Sequence, residues 1–275
     1  MNVLLGVAHG SRDPASQEGV RALLARAAAQ RPGLRTVDAY VDNASPSIRS
    51  ALAALVDDGA DDVVVLPLLL TPASHSKTDV AASVQAGRIA HPAVRLRYGR
   101  PLGPHPVLVD VLDRRLREAG ARPDDPVVVV AGGALDPDAN AQVAATARLL
   151  WEGRSWPSVD IAFASTTGPT VPEALERLRR LGCPRVAVAR YFLGPGRLPR
   201  LVEQQARSVA GLEVVVSAPV GVTDGVAGLL LDRYDEARTG DVRMNCDACL
   251  YRVALPGREG AVGAAQQPHD HPDDA

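Results

Sequence analysis

The sequence predicts an α/β fold built from two tandem, duplicated parallel-sheet domains. Three observations predict it: short Val- and Leu-rich runs, helical segments between them, and a repeat of the whole pattern at an offset of 123 residues that aligns Asp13 with Asp136. The runs are continuous rather than alternating, which is typical of strands buried on both faces of a parallel sheet. Regular alternation of strand and helix favours right-handed, doubly wound units.

Eight apolar runs predict four strands in each copy. They lie near 2–8, 35–41, 62–70 and 94–98, and then near 126–131, 158–164, 185–192 and 212–217. The segments between them begin near Pro, Ser or Asp, as helices do, and one ends at Gly59. We expect the helices near 105–118 and 222–238 to close the first and the second copy.

The repeat runs without a gap over most of its length. "VDAYVDNASPSIRSAL" (37–52) matches "DIAFASTTGPTVPEAL" (160–175), which pairs Pro46 with Pro169. The register then slips by five residues before "RPLG" meets "APVG". Internal repeats of this kind indicate copies of one structural unit. The predicted organisation is a first domain over 1–118, a second over 125–240 and a tail over 241–275.

Composition excludes several classes of protein. The 275 residues are 46% hydrophobic and 23% charged, which is typical of soluble globular proteins. A net charge of −2 gives no support for a nucleic-acid or membrane partner. The start lacks the basic region of a signal peptide, and three cysteines do not make a disulfide framework. We expect a cytoplasmic protein, and the lack of a P-loop motif argues against ATP.

Three metal-capable side chains follow consecutive predicted strands of the first copy: His9, Asp42 and His75. Their counterparts in the second copy are Gly132, Ser165 and Leu198. The carboxyl ends of parallel strands are where ligands bind in such sheets. Two imidazoles and a carboxylate suit a divalent first-row metal such as Fe, Co, Ni or Zn, and imidazoles also act as bases near neutral pH.

Each of these residues also has a structural interpretation. His9 could be a hydrogen-bonded residue at a strand end, Asp42 could cap the helix near Pro46, and His75 could cap the helix that follows it. Their joint presence in one copy and absence from the other favours the functional interpretation. His91 and His105 lie in loop-like contexts and are interpreted as surface residues.

The segments "AHGSRDP", "AYVDNASPSI" and "LLLTPASHSKTDV" make the sequence resemble the class II tetrapyrrole chelatases, specifically the sirohydrochlorin ferrochelatases and cobaltochelatases. The resemblance continues through "GGALDPDAN" and "RYFLGPGRLPR" to "MNCDACLYR". It implies two chelatase-like α/β domains facing a central cleft. It also implies ATP-independent insertion of a metal, with sirohydrochlorin as the tetrapyrrole substrate.

The family's two cleft histidines match His9 and His75, and its acidic residue, commonly Glu, matches Asp42, which is one methylene shorter. These three are the predicted catalytic residues, and the two histidines are the predicted metal ligands. Sirohydrochlorin is a polycarboxylate, so charged and polar groups near them become candidates. The substrate-binding candidates are Ser11, Arg12, Ser74, Ser76 and Lys77. The two cations among them have an alternative as ordinary solvated surface charges.

Metal insertion requires a tetrapyrrole to lose two pyrrole N–H protons, and imidazoles with pKa near 6.5 could accept them. We expect Fe²⁺ as the inserted metal and Co²⁺ as the alternative. A competing class is a non-catalytic metal carrier or sensor that stores metal at the histidines and the tail cysteines. A carrier needs no large cleft between two domains, so the duplication favours the enzyme.

The tail contains a C-x-x-C pair, Cys246 and Cys249, followed by a His-containing end whose composition predicts disorder. Two thiols do not complete the four cysteines of an iron–sulfur cluster. Further ligands could come from a second subunit in a homodimer, from His269 and His271, or from Cys183, which follows a buried strand and is the poorer choice. The resemblance includes long forms with a cluster at this motif. A redox-active or inert pair is the alternative.

Overall fold

A computed structural model describes residues 2–72, 74–239 and 260, and of Ser74 and His75 it describes the backbone. The described residues form eight strands in two four-stranded parallel sheets, ordered β2-β1-β3-β4 and β6-β5-β7-β8. The strands are β1 (Asn2–Ala8), β2 (Arg35–Tyr40), β3 (Asp62–Pro67), β4 (Arg95–Tyr98), β5 (Val127–Ala131), β6 (Val159–Phe163), β7 (Arg185–Arg190) and β8 (Glu213–Val216). The predicted fold class is confirmed.

Helices separate the strands, as the alternating pattern predicts. They are α1 (Pro14–Gln30), α2 (Ile48–Asp57), α3 (Ser74–Lys77), α4 (Asp79–Ala90), α5 (Pro106–Glu118), α6 (Pro137–Arg154), α7 (Val171–Arg180), α8 (Arg197–Arg207) and α9 (Asp224–Thr239). Within the described residues, no helix is both long and apolar enough to span a bilayer.

The central strands are buried along almost their whole length. Every residue of β5 and every residue of β1 after Asn2 is buried. These strands are almost all Val, Leu and Ala, and their β-branched side chains pack well on a sheet covered on both faces. Large aromatic side chains contribute little to the core, and Tyr40, Phe163 and Tyr234 are the aromatic members of the most deeply buried group.

The two copies share local detail as well as topology. Helix α2 is capped by Ser47, whose hydroxyl accepts from the Ser50 amide, and α7 is capped by Thr170 in a capping box with Glu173. The peptide bonds before Pro46 and Pro169 are both cis. The residues paired by the sequence offset therefore occupy equivalent positions, since Pro46 O accepts from the Tyr40 amide as Pro169 O does from that of Phe163.

The chain divides into two compact units. The last helix of the second copy, α9, belongs to the first unit, and the last helix of the first copy, α5, belongs to the second. The described residues of the first unit are 2–72, 74–102, 136–138, 222–239 and 260, and those of the second are 103–135 and 139–221. Helix α9 therefore packs against α1, β3 and β4, whereas α5 packs against β7. The sequence interpretation assigned each closing helix to its own copy, and the structure differs there.

Specific contacts fix each exchanged helix. Arg31 of α1 donates to both carboxylate oxygens of Asp235 on α9, and its guanidinium lies 5.7 Å from the centre of the Tyr234 ring. In the second unit, the Trp156 indole N–H donates to Asp113 of α5 over 3.0 Å. An amphipathic pattern predicts that a helix has a buried face but not which sheet covers it.

Candidate functional site

The carboxyl ends of β2, β1 and β3 lie side by side at one edge of the first sheet. From β1 the chain crosses first to β2 on one side and then to β3 on the other. The carboxyl ends of β1 and β3 therefore flank the topological switch point, which is where open α/β sheets bind ligands. His9 follows β1, Asp42 follows β2, and the short helix α3 carries His75 after β3.

His9 and Asp42 are joined through their backbones. The Asp42 amide donates to the His9 carbonyl oxygen over 2.9 Å. His9 is exposed, whereas Asp42 is half-buried, and its Oδ1 accepts from the Asn43 amide over 2.8 Å. Because Ser47 caps α2, the interpretation of Asp42 as a helix cap is wrong.

Gly10 permits this close approach of the two strand ends. Its φ is +96°, and a Cβ on it would lie 1.6 Å from the carbonyl oxygen of Asp42. Gly133 repeats the arrangement in the second copy, where a Cβ would lie 2.1 Å from the carbonyl oxygen of Ser165. The scaffold at the edge is therefore common to both copies, while the imidazole of His9 belongs to the first alone.

His75 lies within α3 and does not cap a helix. The next helix, α4, begins at Asp79 with Thr78 in the N-cap position, so the capping interpretation of His75 is wrong. The side chain of His75 lies outside the description. At the equivalent position of the second copy, Leu198 packs against the apolar core of the second unit. His105, expected at the surface, is half-buried and caps α5 through Nδ1, which accepts from the Val107 amide.

The substrate-binding candidates fall into two groups. Ser11 and Arg12 lie just before α1, where the Ser11 hydroxyl accepts from the Asp13 amide and Arg12 is exposed. Ser76 is fully buried, and its carbonyl oxygen accepts from the Tyr98 hydroxyl. The Ser74 side chain lies outside the description. Arg12 is thus accessible from solvent and Ser11 is partly so, whereas the Ser76 side chain is buried.

Lys77 is buried, so its interpretation as a solvated surface charge is wrong. Its Nζ lies 2.8 Å from Asp136 Oδ2 and 2.8 Å from Asp138 Oδ2, and its side chain is 5% exposed. Burial lowers the pKa of the ammonium, but hydrogen bonds to the two carboxylates and their charges outweigh it and raise the pKa above its usual value. Sequence reasoning missed this cluster. The only signals were a single lysine among many arginines and the Asp-Pro-Asp spacing.

The metal ligands predicted from the sequence are described only in part. Among the side chains that the structure describes, no group of three or more His, Cys, Asp and Glu is arranged to hold a metal ion. His75 is not among them, so the trio with His9 and Asp42 stays a prediction. Cys246, Cys249, His269 and His271 lie outside the described residues. Cys183 is a free, partly buried thiol beside the apolar core of the second unit.

The fold and this edge define a class: a duplicated parallel α/β protein in which only the first copy has histidine residues after the strands that flank its switch point. The CbiX family model matches residues 3–119 and again residues 126–237. The chain belongs to the CbiX family.

Curated relatives match over most of the chain. The sirohydrochlorin cobaltochelatase of Priestia megaterium is 32% identical over 265 residues, which cover 93% of this chain and 86% of the relative. The sirohydrochlorin ferrochelatase of Bacillus subtilis strain 168 is 28% identical over 255 residues, covering 91% of this chain and 98% of the relative. The names of these relatives thus include both a cobalt and an iron chelatase.

A solved structure has the same fold. SirB from Bacillus subtilis with Fe³⁺ superposes with a TM-score of 0.78 at 27% identity, over 88% of this chain and all of that chain. A structure of the sirohydrochlorin chelatase SirB from B. subtilis subspecies spizizenii in complex with cobalt gives a TM-score of 0.71 at 26% identity, over 86% and 95% of the two chains.

The close approach at residue 10 yields a first prediction. Gly10→Ala places a methyl group against the Asp42 carbonyl, so the free energy of unfolding should fall by more than about 3 kcal/mol. Gly33→Ala is the matched control, because Gly33 also has a positive φ but nothing within 4 Å of the added Cβ. It should cost only about 1–2 kcal/mol of conformational strain. Chemical denaturation measures both, and equal losses would contradict the close approach.

Proposed function

We propose that this protein inserts Fe²⁺ or Co²⁺ into sirohydrochlorin without ATP. The observation that carries the proposal is His9, exposed beside Asp42 at the switch-point edge of the first sheet. Both halves of the chain match the CbiX family model, and relatives of nearly the same length are named for this activity. The metal ion is a substrate of the reaction and leaves with the product.

His9 and His75 are the groups that hold the incoming ion. Support comes from the second copy, in which Gly132 and Leu198 occupy the positions aligned with His9 and His75. There, Leu198 Cδ1 lies 3.3 Å from the place of a Cβ on Gly132, so side chains at these two positions reach each other. Two imidazoles at the corresponding positions of the first copy can bind one divalent ion together. Imidazole is a ligand type suited to Fe²⁺ and Co²⁺.

The reaction exchanges one divalent ion for two protons. Two pyrrole N–H bonds break and their nitrogens bind the ion; as the ion leaves the imidazoles, the freed imidazole nitrogens accept the two protons and pass them to solvent. His9 is exposed and can therefore pass its proton to water. We assign to the carboxylate of Asp42, on the adjoining loop, the stabilisation of the positive charge that forms on the His9 imidazole. No step requires the energy of a nucleotide.

The carboxylates of sirohydrochlorin require hydrogen-bond donors or cations near the carboxyl-end edge of the first sheet. Arg12 is exposed and Ser11 precedes the amino terminus of α1, so we assign contact with substrate to this segment. Ser74 keeps its predicted role. Lys77 and Ser76 are buried and therefore support the site instead of touching the macrocycle.

An insertion assay tests the proposal. Purified protein is mixed with sirohydrochlorin and Fe²⁺, Co²⁺ or Ni²⁺ without ATP, and the absorbance change of the macrocycle is followed. We expect acceleration over the spontaneous reaction with Fe²⁺ or Co²⁺, and the faster of the two identifies the preferred metal, since ligand type alone does not select it. Metal binding with no acceleration for any ion would instead establish the carrier or sensor.

The two histidines should each be required for turnover. His9→Ala and His75→Ala remove a metal ligand and a proton acceptor, so insertion should slow by about 100-fold or more. His91→Ala is the matched control, because His91 ends α4 away from the strand edge and its backbone N–H makes the capping bond. Circular dichroism should show all three variants folded. Rates near that of the parent in both site variants would refute the assigned roles.

The tail yields a separate prediction from the sequence. If Cys246 and Cys249 bind an iron–sulfur cluster shared in a homodimer, Cys246→Ser should remove the bound iron, the visible absorption and the dimer. Cys183→Ser is the control and should keep all three. Iron analysis and size-exclusion chromatography measure the outcome. Iron content that is unchanged in Cys246→Ser would eliminate the cluster and leave the redox-active or inert pair.

A further inference from the structure

Lys77, two residues after the proposed metal ligand His75, belongs to a buried ion cluster. Lys77 Nζ contacts Asp136 and Asp138, and the side chains of the three residues are 5%, 0% and 4% exposed. One cation and two anions are thus held away from water. Burying such charges costs several kcal/mol per ion, so a cluster of this kind is weak evidence of stabilisation and calls for another role.

Asp136 performs two tasks with its two oxygens. Its Oδ1 accepts from the Asp138 amide over 3.1 Å, as a capping residue does, while its Oδ2 binds Lys77. In the first copy, the aligned Asp13 caps α1 in the same way, accepting from the Ala15 amide over 3.2 Å. Residues 136–138 belong to the first unit, so the cluster lies inside the unit that carries His9.

Helix α3 needs contacts of this kind because it has only four residues. A single helical turn is not stable by its own hydrogen bonds. Two contacts fix it immediately after His75: the Ser76 carbonyl accepts from the hydroxyl of the half-buried Tyr98, and the Lys77 ammonium reaches the two carboxylates. The backbone of His75 is therefore held through its next two neighbours.

We infer that Lys77 is a positioning residue: clamped by Asp136 and Asp138, it fixes the α3 turn so that His75 is presented to the metal at the switch-point edge. The inference deepens the proposed function and rests on it. Lys77 touches neither the ion nor the macrocycle. Its loss should therefore weaken metal binding and slow insertion while leaving the affinity for sirohydrochlorin nearly unchanged.

The informative variant removes the whole cluster at once. Lys77→Met alone leaves two buried carboxylates without a cation and is expected to unfold the first unit in part. The triple variant Lys77→Met, Asp136→Asn, Asp138→Asn removes all three charges and keeps the side-chain volumes close to the originals. Because all three charges are removed together, no uncompensated charge stays buried, so this variant should fold.

The measurements separate positioning from stability. For the triple variant we expect Co²⁺ affinity, followed by the visible absorption of the bound ion in the absence of sirohydrochlorin, to fall at least 10-fold. We expect kcat for insertion to fall by a similar factor, with the KM for sirohydrochlorin changed less than 3-fold. Thermal unfolding reports the stability of every variant.

A second buried ion pair supplies the matched control. Arg185 and Asp125 lie in the second unit, with side chains 10% and 4% exposed. The double variant Arg185→Met, Asp125→Asn also removes a buried ion pair and should keep Co²⁺ affinity and kcat. A folded triple variant with Co²⁺ affinity and kcat like those of the parent would overturn the inference. Equal losses of Co²⁺ affinity and kcat in the double variant would also overturn it, because the losses would then follow from reduced stability and not from the position of His75.

Failure of the proposed function gives a different result. If the parent protein does not accelerate insertion, the enzyme is refuted. The Co²⁺ titration still decides the positioning role, because a selective loss of binding in the triple variant supports Lys77 as the residue that places His75. Equal binding in the parent and the triple variant overturns that role whatever the insertion assay shows.

Discussion

The site depends on one close approach of backbone atoms, that of residue 10 to Asp42. The carbonyl oxygen of Asp42 lies 1.6 Å from the place of a Cβ on residue 10, so only glycine fits there, and the Asp42 amide donates to the carbonyl of His9. This contact ties the loop after β1 to the loop after β2. The backbones that carry the imidazole of His9 and the carboxylate of Asp42 are therefore held in place by the scaffold, before any ligand arrives.

The second copy shows which features belong to the scaffold. It has the same glycine with positive φ, the same amide-to-carbonyl bond between Ser165 and Gly132, and the same buried central strand. At the position of His75 it has Leu198, packed against the apolar core. The second copy thus has the scaffold without the two histidines, which the fold therefore does not require.

The strands were predictable because continuous apolar runs occur where a sheet is covered on both faces, and the run near 185–192 corresponds to β7 (Arg185–Arg190). The offset of 123 residues correctly paired Pro46 with Pro169. The exchange of α5 and α9 was not predictable, since amphipathicity does not name the sheet that a helix covers. Nor was the burial of Lys77, whose partners lie 59 and 61 residues away. That His9 and Asp42 follow adjacent strands was predictable from the apolar runs, whereas the burial of Ser76 and Lys77 depended on tertiary contacts.

The central claim is that the first copy alone binds the ion that is to be inserted, through His9 and His75. X-ray absorption at the cobalt edge tests it directly on metal-free protein loaded with one equivalent of Co²⁺. The spectrum should show scattering from two imidazole ligands. In the double variant His9→Gly, His75→Leu, which carries the residues of the second copy, that scattering should disappear. Imidazole scattering that is unchanged in the double variant would contradict the claim.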